Sequence, residues 1–495
     1  MSDPWSGSTF PVEPPVNRWL RKSDRKGDTK LVTFGLWVGG ILKTSTSFGK
    51  RAAVVAGAAA LIASMAVIGV NSAASASAKI GGSVSVWNEF SGAEATGFAT
   101  ALKPFEKKTG IKVTVRNGGS SLPTLLEAAV AGGKPPNIAA VPTPGSFDLL
   151  ASGKRLTPLK PILGSETKNF SPGWSASATY KGTLYGLWLD SSSKNTVFYN
   201  PAVFKAAGIT STPTTFEQMI TDASTIAQAG YTPFSYCSGT SGAGWAATDL
   251  FQNLFVKRNG ATAYNDLVNG KLSWTSPEVT AAFADYSSLL GSNGANVGGI
   301  SKALGTDQLW PTCLNDVFPT SGSPTAAMVI EASFIEQSTP ANYVASNAST
   351  CTLTQSNPCY DYFPFPAPAG SKYVNDDQSS GDVAMLLKST KASRAVMQYL
   401  GSKQFATLWE EAPGGTITPN LAVPATAIKN PVTAAIVKNL DSAAATVFSM
   451  DDEYGGTLEP QMWSNMLAWV GGTDTTAQFE TTMQSETKAF LASNG

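Results

Sequence analysis

Between Tyr185 and Ile209 the chain reads YGLWLDSSSKNTVFYNPAVFKAAGI. An apolar run stops at Asp190, three serines and Lys194 follow, and a second apolar run covers Thr196 to Tyr199. Two-residue hairpins favour Asn-Gly, Asp-Gly or Gly-containing turns, and none is present here. The segment therefore raises the question of how one buried run hands over to the next with no residue to make a hairpin.

Upstream, GGSVSVWNEFSG reads as a strand running into a loop, and FATALKPFEKKTG as an amphipathic helix stopped by Gly110. IKVTVRNGG, SLPTLLEAAVAGGKPP and NIAAVP continue as strand, helix and strand. That alternation predicts a parallel α/β sheet, whose ligands sit beyond the carboxyl ends of the strands. The later chain predicts a mostly helical stretch from Pro213 to about Leu290, a variable stretch over 291–324, a strand at TAAMVIEASF, a proline-rich surface run at DYFPFPAPAG, a strand at GDVAMLLKST and helices to the C-terminus. At 495 residues two domains are the expectation.

The chain contains no histidine. This excludes a Ser-His-Asp triad, a Cys-His pair and any His-ligated metal site. No spacing suits a calcium loop, a P-loop or a dinucleotide fingerprint, so no metal and no cofactor is expected. Lysine plus arginine equals aspartate plus glutamate at 35 each, but residues 1–78 hold 9 of the basic and 4 of the acidic groups. The remaining body is mildly acidic and has no electrostatic reason to bind nucleic acid.

Lys50 and Arg51 precede nineteen small or apolar residues, Ala52 to Val70, and Ala-Ser-Ala follows at 74–76. Basic flank, apolar stretch and small-residue site make an export signal. The same stretch is just long enough to remain as an uncleaved anchor. The role of residues 1–50 stays open. Export makes disulfides the expected state of the four cysteines. Cys351 and Cys359 bracket the short loop CTLTQSNPC, which leaves Cys237 for Cys313, one of three possible pairings.

Several segments together, PFEKKTGIKVTV, YGLWLDSSSKNTVFYNPAVFKAAGI, PTTFEQMITDASTIA, AAMVIEASFIEQ and PQMWSNMLAWVGG, resemble extracellular solute-binding proteins of ABC importers, in the sugar-binding group that includes maltose-binding protein. The resemblance covers about 80–495. It implies a two-lobed α/β periplasmic-binding-protein type II fold, with three crossings between the lobes and a central ligand cleft. The Asp-Ser-Ser-Ser segment would be the first crossing, with the others near 375–382 and 447–456. Residues 79–190 and 381–448 would form one lobe, and 191–380 with 449–495 the other, after the N-terminal segment 1–78.

A sugar offers C–H faces for aromatic rings and hydroxyls for paired polar groups. On that basis and by the resemblance, the expected ligand contacts are Trp87, Asn88, Glu89, Asp190, Trp245, Glu331, Phe334, Asp382, Glu453 and Trp463. Relatives typically have tryptophan near Phe334, which weakens stacking at that position. The implied function is a non-enzymatic, monomeric receptor at the surface of a bacterium, handing a mono- or oligosaccharide to a permease and touching the membrane only through an uncleaved anchor. A receptor for a non-sugar solute, or a secreted glycoside hydrolase using two of the acids, are the alternatives. Peptide mapping without reductant is expected to recover Cys351 joined to Cys359, and two free thiols there would contradict an oxidised, exported protein.

Overall fold

The computed structural model describes residues 79–238, 244–290, 310–346, 350–354, 356–412 and 416–494. The segment 1–78, where an export signal is expected, the glycine-rich loop 239–243 ahead of Trp245 and most of the variable stretch 291–324 lie outside the described residues. Among the described residues, no helix is long and apolar enough to cross a membrane.

Fifteen strands appear among the described residues. In chain order, β1 (Ser83–Asn88), β2 (Lys112–Asn117) and β3 (Ile138–Val141) pair in parallel through the helices between them. A small antiparallel hairpin follows, β4 (Thr179–Tyr180) with β5 (Thr183–Leu184), and then β6 (Gly186–Trp188). Next come β7 (Ser192–Ser193), β8 (Thr196–Tyr199), β9 (Thr232–Ser235), β10 (Ala326–Ile330), β11 (Val344–Ala345) and β12 (Cys359–Pro364). The series closes with β13 (Asp376–Ser380), β14 (Val383–Leu386) and β15 (Ala445–Phe448).

These strands form two five-stranded sheets, in the orders β2-β1-β3-β14-β6 and β11-β12-β8-β10-β9. The body thus has two α/β lobes, each built on one of these sheets. Two expectations need correction. The first sheet is not wholly parallel, because β14 returns late in the chain and runs antiparallel to both β3 and β6. DYFPFPAPAG is not a surface run. Its first half is β12, beside β8 within the second sheet, and Phe363 and Phe365 are buried. Proline tolerates this placement because it falls at the end of the strand.

A third, three-stranded sheet, β15-β13-β7, contains one segment from each crossing. It explains the run of serines. Asp190 and Ser191 leave β6, Ser192 and Ser193 pair with Ser380 and Ser379, and β8 then starts in the other sheet. Ser193 Oγ donates to both Asp377 carboxylate oxygens at 3.0 Å, and the Lys194 amide donates to the Gln378 carbonyl at 2.7 Å. The Ser449 amide donates to the Ser379 carbonyl at 2.9 Å, joining the third crossing. These residues are buried, so small side chains with their own donors and acceptors suit them better than apolar ones.

Asn200 then accepts from the amides of Ala202 and Val203, capping the helix Pro201–Ala206. One lobe packs Val84, Val86, Phe98, Leu102 and Trp409. The other packs Phe251, Trp274 and Phe283 with the C-terminal helices. Cys237–Cys313 and Cys351–Cys359 are bonded as expected, with Cα separations of 5.1 and 5.5 Å.

Gly381 sits where the first and second crossings touch, and a Cβ there would run into the Asp190 carbonyl oxygen. Gly381→Ala is expected to cost about 1–3 kcal/mol by overpacking, read as a lowered midpoint in chemical denaturation. An unchanged midpoint would mean that the crossing segments separate freely.

Candidate functional site

A cleft of about 490 Å³ opens beside the crossing segments. The loop after β1 supplies Glu89, Phe90 and Ser91, and the helix Gly92–Thr109 supplies Ala93 and Glu94. The crossings supply Asp190, Ser192, Lys194, Ser380, Gly381 and Asp382. Trp245, Trp310 and Phe334 line another side, and Asp452, Glu459 and Trp463 come from the last part of the chain.

Lys194 is the electrostatic centre. It is 5% exposed, and its ammonium donates to Asp249 Oδ1 at 2.9 Å, Ser449 Oγ at 3.0 Å and Asp452 Oδ2 at 3.4 Å. Burial alone would lower this ammonium, but Asp249, Asp452 and Asp451 outweigh it and hold it above the ordinary lysine value. The carboxylates around it are not all balanced. Burial pushes Asp249 up to about 6 in spite of Lys194, and Asp452 to about 7. Across the cleft, burial and then the charge of Asp452 raise Glu89 to about 8, while burial and Asp190 raise Glu94 to about 8. Burial raises Asp190 to about 7, even though its Oδ1 accepts the Asp382 amide at 2.5 Å. Burial together with Asp452, Asp451 and Glu89 raises Glu459 to about 10.

The aromatic side is built differently. Trp310 meets Phe334 edge-on, with centroids 5.4 Å apart, and Trp245 lies 5.8 Å from Phe334. Trp463 is half-buried on the helix Leu458–Val470, and its indole Nε1 donates to Asp451 Oδ2 at 2.6 Å. Asp451 also accepts from Thr248 at 2.7 Å, Gln252 at 2.8 Å and Ser449 at 2.7 Å. These bonds fix the plane of the Trp463 ring, and Gly244 lets the turn before the helix Trp245–Val268 press against the Trp463 backbone.

Six of the residues expected from sequence, Glu89, Asp190, Trp245, Phe334, Asp382 and Trp463, line this one cleft. Four lie elsewhere. Trp87 carries the Arg116 guanidinium 4.5 Å from its ring centre. Asn88 shares the buried parity of Val84 and Val86 along β1 and is 1% exposed. Glu331 is buried at 3% exposure just after β10, its carboxyl held well above the ordinary range by burial. Glu453 falls outside the lining, one position past Asp452 on the short helix Met450–Tyr454, where successive side chains point about 100° apart. Sequence reasoning passed over Glu94, Lys194, Trp310, Asp452 and Glu459. A lysine between two buried strands was a signal for Lys194, since an ammonium there needs partners. Glu459 carries no local signal.

Comparison with known proteins gives a consistent picture. Residues 87–312 match the family described as "Bacterial extracellular solute-binding protein". The osmoprotective compounds-binding protein GgtB of Synechocystis sp. is 27% identical over 399 residues, 78% of this chain and 88% of that protein. The alpha-glucosides-binding periplasmic protein AglE of Rhizobium meliloti is 26% identical over 407 residues, 79% and 84% of the two chains. Among solved structures, a chitin oligosaccharide binding protein superposes with a TM-score of 0.69 at 22% identity, over 83% of this chain and 99% of that one. The GacH receptor of Streptomyces glaucescens gives 0.64 at 16%, over 84% and 99%.

The raised carboxyls have a consequence for stability. Glu89, Glu94, Asp190 and Asp452 keep protons in the folded protein that unfolded carboxyls release near pH ~4. Between that point and about pH 8 the folded state binds more protons, so its stability falls as pH rises. The melting temperature of ligand-free protein is therefore expected to be lower at pH ~8 than at pH ~5. The opposite order would contradict a cleft of buried, proton-holding acids.

Proposed function

We propose that this chain, which matches the bacterial extracellular solute-binding proteins over residues 87–312 and has their two-lobed fold, is an exported carbohydrate receptor that delivers its ligand to an ABC importer permease. The observation that carries the reading is the cleft itself. A fixed indole at Trp463, a second aromatic group at Trp245, Trp310 and Phe334, and several carboxyls share one space beside the crossings. Aromatic plates suit the C–H faces of a sugar ring, and carboxyls suit its hydroxyls. The name of one relative, for alpha-glucosides, agrees with a carbohydrate.

Closure follows from the crossing sheet. The three segments absorb the change in backbone angles as the lobes move, and ligand touching both lobes shifts the population toward the closed form. The closed form is what docks on the permease. The protein works as a monomer outside the cell, exported or held by its N-terminal segment, and it is a receptor and not an enzyme.

A thermal-shift screen of neutral sugars and glycosides tests the reading, because a ligand at about 100 times its dissociation constant adds about 2.7 kcal/mol. For the sugar that shifts the melt most, Trp463→Ala is expected to weaken binding by about ten- to a hundred-fold in calorimetric titration. The ligand-free melting temperature should change little, since the ring is half-buried. Unchanged affinity with a collapsed melting point would make Trp463 a packing residue. Turnover of a chromogenic glycoside, abolished by a single carboxylate-to-amide change, would replace the receptor with a hydrolase.

A further inference from the structure

The cleft is unbalanced in charge. Six carboxyls line it, and Lys194 is its only lysine or arginine among the described residues. That ammonium is turned into the protein, onto Asp249, Ser449 and Asp452. The Trp463 indole N–H is likewise spent on Asp451. A neutral polyol brings two acceptor lone pairs with each O–H donor, whereas the ammonium and the indole N–H of this cleft both face inward.

Glu459 sharpens the point. It is 5% exposed and lines the cleft, yet its side chain makes no hydrogen bond or ion pair with any described residue. The charges that act on it are those of Asp452, Asp451 and Glu89, with Lys194 opposing them. A buried carboxyl without a partner is costly, so this one is complete only when something in the cleft donates to it. A metal ion is not that donor, because among the described residues no three acids converge closely enough to hold one. The acids are spread over the width of a ligand.

Position on the helix says what the donor is attached to. Glu459 and Trp463 are four residues apart on the helix Leu458–Val470, so their side chains lie on one face, one above the other. A sugar ring laid on the indole places a ring substituent beside the carboxyl. An ammonium substituent carries three N–H donors and no acceptor, which fits a carboxyl with no donor beside it.

Resting on the receptor reading above, we propose that the ligand is a carbohydrate bearing a protonated primary amine, its ammonium held by Glu459 while its ring lies on Trp463 and the other acids of the cleft add to the field. The amine replaces protons that the crowded acids otherwise keep. An acidic sugar is excluded by the same field.

Calorimetric titration with matched probes tests this at neutral pH and low salt. Glucosamine is set against glucose and galactosamine against galactose, followed by α- and β-linked disaccharides that differ only in amine or hydroxyl. In at least one pair the amine form is expected to bind about ten-fold tighter or more, as a charge-assisted hydrogen bond allows. The preference should shrink as salt is raised and collapse toward unity in Glu459→Gln, with a melting curve to show that the variant is folded. If that variant does not fold, Glu89→Gln at the half-buried opposite wall replaces it and must lower the same ratio. A neutral sugar that binds as well as its amine partner, or a preference untouched by these variants, overturns the proposal. In that case, neutral binding weakened by Trp463→Ala leaves the receptor reading standing. Binding by no member of either series overturns both.

Discussion

The buried ammonium of Lys194 is the interaction on which the arrangement rests. It stands on the first crossing and reaches Asp249 on a long helix and Ser449 and Asp452 at the third crossing. A lone charge at this depth would cost several kcal/mol, and a single ion pair often recovers only part of that. Here the ammonium has three oxygen partners, and Asp249 is steadied in turn by Gln378 of the second crossing at 3.2 Å. One charge therefore registers all three crossing segments against the helix Trp245–Val268. Removing it would leave two buried acids unmatched in the same place.

That registration also decides where the cleft lies. The crossing sheet is polar and buried, a combination that is stable only when nearly every group is paired. Serines and aspartates satisfy it through Ser193 with Asp377 and the backbone ladder from Ser379 to Ser449. Atoms left over at its edge, among them Asp382 Oδ1, have no hydrogen-bond partner by distance and angle among the described residues. They lie where Asp382 joins the cleft wall, so the polar surplus of the hinge becomes part of the binding surface. The acids of the cleft then share one field, and burial keeps several of them protonated near neutrality.

Much of the architecture was legible in the chain. The period-two runs at Val84–Val86 and Lys112–Asn117, with helices between them, mark parallel strands, while the crossing at Asp190–Ser193 was implied by the resemblance and left open by the residues alone. The antiparallel return of β14 was not legible, since a strand's direction in a sheet is set by where the chain re-enters after a long excursion from β6. β12 was hidden by Pro364 at its end and the prolines that follow, which mimic a surface run although Phe363 and Phe365 are buried.

For the site, the sequence by itself determined residue chemistry: aromatics and acids near strand ends, no histidine, and cysteines in pairable positions. It could not separate Asp452 from Glu453, or Asn88 from Glu89, because adjacent residues differ only in the direction their side chains take. Nor could it find Glu459, whose meaning lies in a missing partner. Those matters were decided by the tertiary structure. A cleft exists only where segments hundreds of residues apart are held at one place, and here Lys194 and the crossing sheet hold them. Burial, which sets both the charge of each acid and its need for a ligand, is a property of that assembly and of no single stretch of chain.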